Sequence, residues 1–322
     1  MGQIDVATWQ PAAYMDVTTF EEREVTLDVG ALPVAASLSI PRGAGPHPAA
    51  VLLSGGGPFD RDATVGPNKT LKDLAWGLAS RGIAVLRFDK ASFTHAAEFW
   101  GTPGVVAADE YVPYGVSAIE LLRAEPAVDS DRIFVAGHSM GGKFAPRVAE
   151  AAPSVAGVVI LAGDTVPMQW AMVRVARLLA EIAPDTLAAL PPIETMIEQA
   201  KLVDSHELSV STPPSDLPFG APGSYWLDLR DYDPVATAAA LNTPMLILQG
   251  GRDYNVTVAD DLAGWQAGLG DKPEVTIRIY PGEDHMFYRG SGVPLPADLE
   301  RPQHVDREVI DDIADWLHAS GR

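Results

Sequence analysis

A serine with glycines two residues to either side, Gly137-His138-Ser139-Met140-Gly141, separates an apolar run from a helix-forming one. A strand-to-helix turn that sharp leaves no room for a Cβ at either glycine and lifts the serine hydroxyl above the sheet. It also opens a helix whose free N–H groups favour an anion. Serine is a weak nucleophile until a base takes its proton, and the base needs an acid to orient it. Two later strand ends offer these groups. Residues 245–251 run into Arg252-Asp253, and residues 275–280 run into Pro281-Gly282-Glu283-Asp284-His285. Both sites lie just past the C-terminal end of a strand, where open parallel sheets bind ligands. Ser139, His285 and Asp253 are therefore the candidate catalytic nucleophile, base and acid. Asp260 and Asp261 fall within the next helix, Asp284 points away from its neighbour, and His304 and His318 belong to the terminal helix region.

Acyl transfer also needs donors for the oxyanion. The Met140 N–H, just after the nucleophile, is one candidate. The loop Ser54-Gly55-Gly56-Gly57 is expected to give the other through the Gly56 N–H, since bare backbone can approach a substrate closely. A phosphate cradle is disfavoured because no Gly-Lys-Ser/Thr follows. With no cysteine, and no i,i+4 or His-x-His pair among seven histidines, no metal site is signalled and no cofactor is implied. Candidate substrate contacts are Ser54, Gly57, Phe59, Phe93, Trp226 and Met286; further aromatic side chains near the expected pocket are Trp100, Phe144, Trp170, Tyr225 and Phe287.

The elements that must position these groups alternate. Strand-like runs at 24–29, 34–40, 49–53, 83–88, 133–136, 155–161, 245–248 and 275–280 are interleaved with helical patterns at 71–80, 111–123, 142–151, 258–269 and 305–318. Near-continuous apolar strands between helices mean an α/β fold: a mostly parallel sheet covered on both faces. Residues 167–230 break the rhythm. They hold helical stretches at 172–182 and 194–203 and a Ser- and Pro-rich piece at 209–223, with no strand that fits the sheet. An inserted helical cap in a core made of 1–166 and 231–322 is the expected organisation, because structureless loops of that length are rare. The apolar face of the cap is also a candidate homodimer contact.

Composition bounds the partners. Hydrophobic residues make up 47% of the 322, enough for a large core, and the formal charge is −20. Such a surface repels phosphodiester backbones and anionic lipid, so nucleic acid and membrane surfaces are excluded as expected partners. Residues 1–15 show no basic stretch followed by an apolar run, and no apolar stretch nears the roughly 18 residues a membrane span requires. A cytoplasmic protein acting on a small molecule is the expectation.

Taken together, Ser54-Gly55-Gly56-Gly57-Pro58-Phe59-Asp60-Arg61-Asp62, Gly66-Pro67-Asn68-Lys69, Arg87-Phe88-Asp89-Lys90, Gly137-His138-Ser139-Met140-Gly141-Gly142, Gln249-Gly250-Gly251-Arg252-Asp253 and Asp284-His285 resemble the α/β-hydrolase superfamily. The chain looks most like its bacterial carboxylesterases and dienelactone-hydrolase-like members. The resemblance runs from about residue 21 to 317, less securely in the cap. It implies Ser139, Asp253 and His285 as a triad, Gly56 and Met140 as the oxyanion hole, and hydrolysis of a small, largely apolar carboxylic ester through an acyl-enzyme. Thioester or lactone cleavage, acyl transfer, amide cleavage, and a non-catalytic small-molecule binder are the alternatives. Two departures stand out. Many relatives carry His-Gly where Ser54-Gly55 stands here. Lys143 places a cation in the first turn of the nucleophile helix, where the dipole disfavours one; a solvated surface lysine is the expectation.

Overall fold

Period-two burial along the strands explains the architecture. In β3, Ala49, Val51 and Leu53 enter one apolar cluster while Ala50 and Leu52 enter another on the opposite face. The next strands repeat this: Val158 and Ile160 face one way, Val159 and Leu161 the other. A sheet that is apolar on both faces must be covered on both. The computed structural model describes residues 9–320, so residues 1–8 of the stretch read for a leader lie outside the described residues.

Eight strands form the sheet: β1 (Phe20–Leu27), β2 (Val34–Pro41), β3 (His47–Leu53), β4 (Ala84–Phe88), β5 (Val128–His138), β6 (Gly157–Leu161), β7 (Met245–Gly250) and β8 (Val275–Tyr280). Their spatial order is β1-β2-β4-β3-β5-β6-β7-β8. Only β2 runs against its neighbours; every other adjacent pair is parallel. The helices are α1 (Thr70–Ala79), α2 (Ala91–Thr94), α3 (Ala96–Gly101), α4 (Val112–Ala124), α5 (Met140–Ala151), α6 (Met168–Ile182), α7 (Ile193–Asp204), α8 (Gly223–Asp231), α9 (Pro234–Ala240), α10 (Ala263–Leu269) and α11 (Arg307–Ala319). Helices α1 and α11 cover one face, and α4, α5 and α10 cover the other. Among the described residues no helix is long and apolar enough to cross a membrane.

The expected strands and helices are present, with differences that have local causes. The helix read as 258–269 begins with a π-wound turn at Val258–Leu262. There the buried Asp261 carboxylate turns inward to accept from the Thr165, Val166 and Thr257 N–H groups. Helices α2, α3, α8 and α9 were not expected. Of these, α9 carried a readable signal: Asp233 caps it, its Oδ1 accepting from the Val235 and Ala236 N–H groups, and Pro234 opens it.

Residues 167–230 contain helices and turns and no strand of the sheet. Val173 and Ala176 of α6 pack with Met196 and Ala200 of α7 in a small cluster of their own. The last part behaves differently. Tyr225, Trp226 and Leu229 of α8 enter the main core, and the fully buried Trp226 donates its Nε1–H to the Pro218 carbonyl at 3.2 Å. Trp226, expected to contact substrate, is thus a core residue, because its helix packs against the turn at Ala107–Glu110 and against α7, with the indole turned into the main core. Trp226→Ala should lower unfolding free energy by about 3–5 kcal/mol in urea melts while leaving the KM of the folded fraction unchanged. A loss below about 1 kcal/mol, or a changed KM at unchanged stability, would contradict this placement.

Candidate active site

Strand β5 ends at His138 and α5 starts at Met140, so the whole turn falls on Ser139, which takes φ 55° and ψ −125°. Non-glycine residues adopt such a conformation only when the surroundings enforce it. They do so through backbone contact. A Cβ on Gly137 would lie 2.1 Å from the Gly141 carbonyl oxygen, and one on Gly141 would lie 2.4 Å from that of Leu53. The Ser139 N–H donates to the Leu161 carbonyl at 2.8 Å, tying the turn to β6.

The loops after β7 and β8 meet this turn. The Ser139 hydroxyl lies 3.1 Å from His285 Nε2, and His285 Nδ1–H donates to Asp253 Oδ2 at 2.7 Å. Asp253 is held from three sides: Oδ1 accepts from the Asn255 and Val256 N–H groups, and Oδ2 accepts from Gln249 Nε2. The carboxylate therefore presents one fixed oxygen to the imidazole. Burial disfavours an imidazolium at His285, but the Asp253 charge and hydrogen bond outweigh it and raise its pKa above the ordinary histidine value. Asp284, set aside from the sequence, points away: its Oδ1 accepts from the Met286 and Tyr288 N–H groups and shapes the loop.

His138 was quoted only as part of the serine motif, and it has a definite place. Its Nε2–H donates to the His285 carbonyl at 2.8 Å, and the two rings lie 4.8 Å apart. Burial, then repulsion from His285, pushes its pKa down to about 3, so it stays neutral and donates from Nε2.

Among the described residues, the Gly56 and Met140 N–H groups donate to no backbone carbonyl. Both residues border the same cavity as Ser139 and His285. A Cβ on Gly56 would come within 3.2 Å of Met140 Sδ and Met168 Cε, so a side chain there would crowd these two methionines. Beneath this loop the buried Arg87 of β4 pairs with Glu22 of β1 at 2.8 Å and with Asp62 at 2.9 Å, anchoring the segment that follows Gly57.

The cavity has a volume of about 380 Å³ and is mostly apolar. Five of the chain's eight methionines wall it: Met140, Met168, Met172, Met196 and Met286. Such a wall can adapt to chains of different shape. Met286 is expected from the sequence as a substrate contact and Met140 for its N–H; Met168, Met172 and Met196 are not, although Met168 and Met172 lie at i,i+4 spacing on α6. A second space of about 90 Å³ lies on the other side of Ser139, bordered by Phe59, Ala63 and Val65. Phe59 thus lines the smaller space, and Gly57 (φ +108°) makes the turn that sets its ring. Ser54, Gly57, Phe93 and Trp226, all expected to contact substrate, border neither space. Ser54 is buried, its carbonyl against Gly141; Phe93 is 50% exposed on α2.

Lys143 is not solvated. It is buried in the first turn of α5, and its Nζ lies 3.0 Å from Asp164 Oδ2, a residue at the edge of the larger cavity. The carboxylate offsets the cation's unfavourable position at the helix start.

Comparison with known proteins bears on the family and the fold. A model of the alpha/beta hydrolase family matches residues 50–295. The esterase EstD of Thermotoga maritima is 35% identical over 305 residues, which is 94% of this chain and 69% of that protein. The 2,6-dihydropseudooxynicotine hydrolase of Paenarthrobacter nicotinovorans is 28% identical over 158 residues, 49% of this chain and 39% of that one. Among solved structures, Est1E from Butyrivibrio proteoclasticus superposes with a TM-score of 0.57 at 15% identity, covering 92% of this chain and 99% of that one. Dienelactone hydrolase from Anabaena variabilis gives 0.54 at 18%, covering 94% and 100%. With the eight-stranded sheet, its single antiparallel strand and a match spanning most of its length, the chain belongs to the alpha/beta hydrolase family.

Proposed function

We propose that this carboxylesterase-like hydrolase cleaves small, largely apolar carboxylic esters through a Ser139–His285–Asp253 triad and an acyl-enzyme. The observation that carries the reading is the hydrogen-bonded line from Ser139 Oγ through His285 to Asp253, at 3.1 and 2.7 Å, opening on an apolar cavity. In this reading Ser139 Oγ bonds to the ester carbonyl carbon as its proton passes to His285 Nε2. The carbonyl π electrons move onto oxygen, where the Gly56 and Met140 N–H groups receive the charge. Collapse breaks the bond to the alcohol oxygen, which takes the proton from His285. Water then attacks the acyl-enzyme, giving its proton to His285, and the acid leaves as Ser139 regains a proton. Asp253 keeps the imidazole in the tautomer that presents Nε2 to serine.

The larger cavity takes the acyl arm, and residues 167–230 act as a cap whose α6 and α7 supply three of its five wall methionines, Met168, Met172 and Met196. EstD, the 35% identical relative, is an esterase, which supports ester cleavage over the other acyl chemistries.

Three outcomes test this. With p-nitrophenyl esters from acetate to decanoate, kcat/KM should rise about fourfold per added methylene until the cavity is full, as burial of about 0.8 kcal/mol per methylene requires. A flat series would remove the acyl assignment. Ser139→Ala should cost at least about 10³-fold in kcat, and near-wild-type turnover would end the triad reading. Because His285 works as a base only when neutral and its pKa is raised, the acid limb of the kcat/KM profile should lie above the ordinary histidine value of about 6.5. Asp253→Asn should move that limb downward and cut kcat by up to about 10⁴-fold. An acid limb below about 6 in the unmodified enzyme would contradict the assigned base.

A further inference from the structure

A buried lysine sits directly behind the loop assigned to the oxyanion. Lys90, just past the end of β4, is almost wholly inaccessible, and its ammonium meets three acceptors: the Gly55 carbonyl at 3.1 Å, Tyr111 Oη at 2.9 Å and Glu110 Oε2 at 3.1 Å. Tyr111 passes its own O–H to the same Gly55 carbonyl at 3.0 Å. Glu110 also accepts from the Tyr225 hydroxyl at 3.1 Å. The Tyr111 ring is fixed by stacking on Phe144, with centroids 4.7 Å apart and planes within 5°. Burial raises the Tyr111 phenol well above its usual value, so it remains an O–H donor.

The carbonyl held by these two donors belongs to the same peptide unit as the Gly56 N–H. In a trans peptide the C=O and N–H bonds point in opposite directions. Pinning the Gly55 oxygen toward Lys90 and Tyr111 therefore turns the Gly56 N–H the other way. The unit lies beside the serine: a Cβ on Gly55 would lie 3.3 Å from Ser139 Cβ, and Gly56 borders both spaces next to Ser139. Glycines on both sides of this unit would otherwise let it rotate freely. Donors on the carbonyl also polarise the amide and make its N–H a better donor.

We propose that Lys90 and Tyr111, with Glu110 neutralising the cation, are positioning residues that orient and polarise the Gly55–Gly56 peptide so that its N–H meets the oxyanion. This rests on the serine-esterase reading above. A lysine, glutamate and two tyrosines in the core are hard to explain by stability alone, since apolar replacements of a buried ion pair are often neutral or stabilising.

The test compares Tyr111→Phe and the double variant Lys90→Met/Glu110→Gln, which leaves no unpaired charge and keeps an acceptor for Tyr225. Each is assayed for Tm, kcat and KM on a p-nitrophenyl ester, and for inhibition by an alkyl trifluoromethyl ketone. Ser139 adds to that ketone's carbonyl carbon, its proton passing to His285, so the bound form carries the oxyanion without turnover. Removing an oxyanion donor outright costs about 10²–10³-fold, so misorienting one should cost less. The expected results are a fall in kcat of about 3- to 10-fold for Tyr111→Phe and about 10- to 100-fold for the double variant, with KM within about twofold. The ketone Ki should rise by the same factor as kcat falls. Folded variants with wild-type kcat, or with reduced kcat and an unchanged ketone Ki, would overturn the proposal. If the double variant does not fold, Tyr111→Phe alone decides. Ser139→Ala is run alongside: if it is inactive while both variants behave as wild type, this inference fails and the triad reading survives. If it is active, both fall.

Discussion

The site depends on one close approach of bare backbone. Strands β3 and β5 are parallel neighbours, paired from Ala49↔Ile133 to Leu53↔Gly137, so both end at the same level of the sheet. Beyond that level the chain of β5 must reverse into α5 directly against the carbonyls of Leu53 and Ser54, with no space for a Cβ at Gly137 or Gly141. Ser139 is left in a positive-φ conformation that costs on the order of 1–3 kcal/mol, sustained by the packed backbone around it and by the hydrogen bond to Leu161. The same contact puts the loop 54–57 beside the serine. The positions of Ser139, the first helical N–H and the glycine loop are thus consequences of one packing constraint.

The remaining groups arrive by the same logic two and three strands beyond β5 in the sheet. Strands β7 and β8 are in register through Gly250↔Tyr280, and Gly250 and Gly251 let the backbone at Pro281 and Asp284 pass within contact distance. The two loops are thereby clamped together, which fixes the distance from Asp253 to His285. Neutral His138, one residue before the serine, holds the His285 carbonyl and so couples the β8 loop back to the β5 turn. Charge is handled by pairing throughout: Arg87 with Glu22 and Asp62, Lys143 with Asp164, Lys90 with Glu110. Each pair has a buried cation, which would cost several kcal/mol if left unpaired.

What could be read from the sequence was what is decided locally. The glycines of the serine turn, the order of serine, aspartate and histidine after successive strands, and the alternation of apolar strands with helices depend on steric and periodic rules that act over a few residues. Side-chain destinations set by packing between distant elements were not readable. Phe93, Trp226 and Met172 show the outcome: one is half-exposed, one is in the core and one walls the cavity. Lys143 looked solvated because its partner, Asp164, comes from the loop after β6. The surroundings of Lys90 were equally hidden: it stands in a motif, but its three acceptors come from two other segments, Gly55 and the adjacent pair Glu110-Tyr111.

The central claim is that Ser139 is an activated nucleophile, and the most direct measurement is reaction with a fluorophosphonate followed by peptide mapping. Oγ of Ser139 would displace fluoride at phosphorus, with the serine proton taken up by His285. The account predicts one adduct, on the peptide containing Ser139, formed in the native enzyme and absent from both the Ser139→Ala variant and the urea-unfolded chain. No adduct in the native enzyme, or an adduct on another residue with Ser139 unmodified, would contradict it.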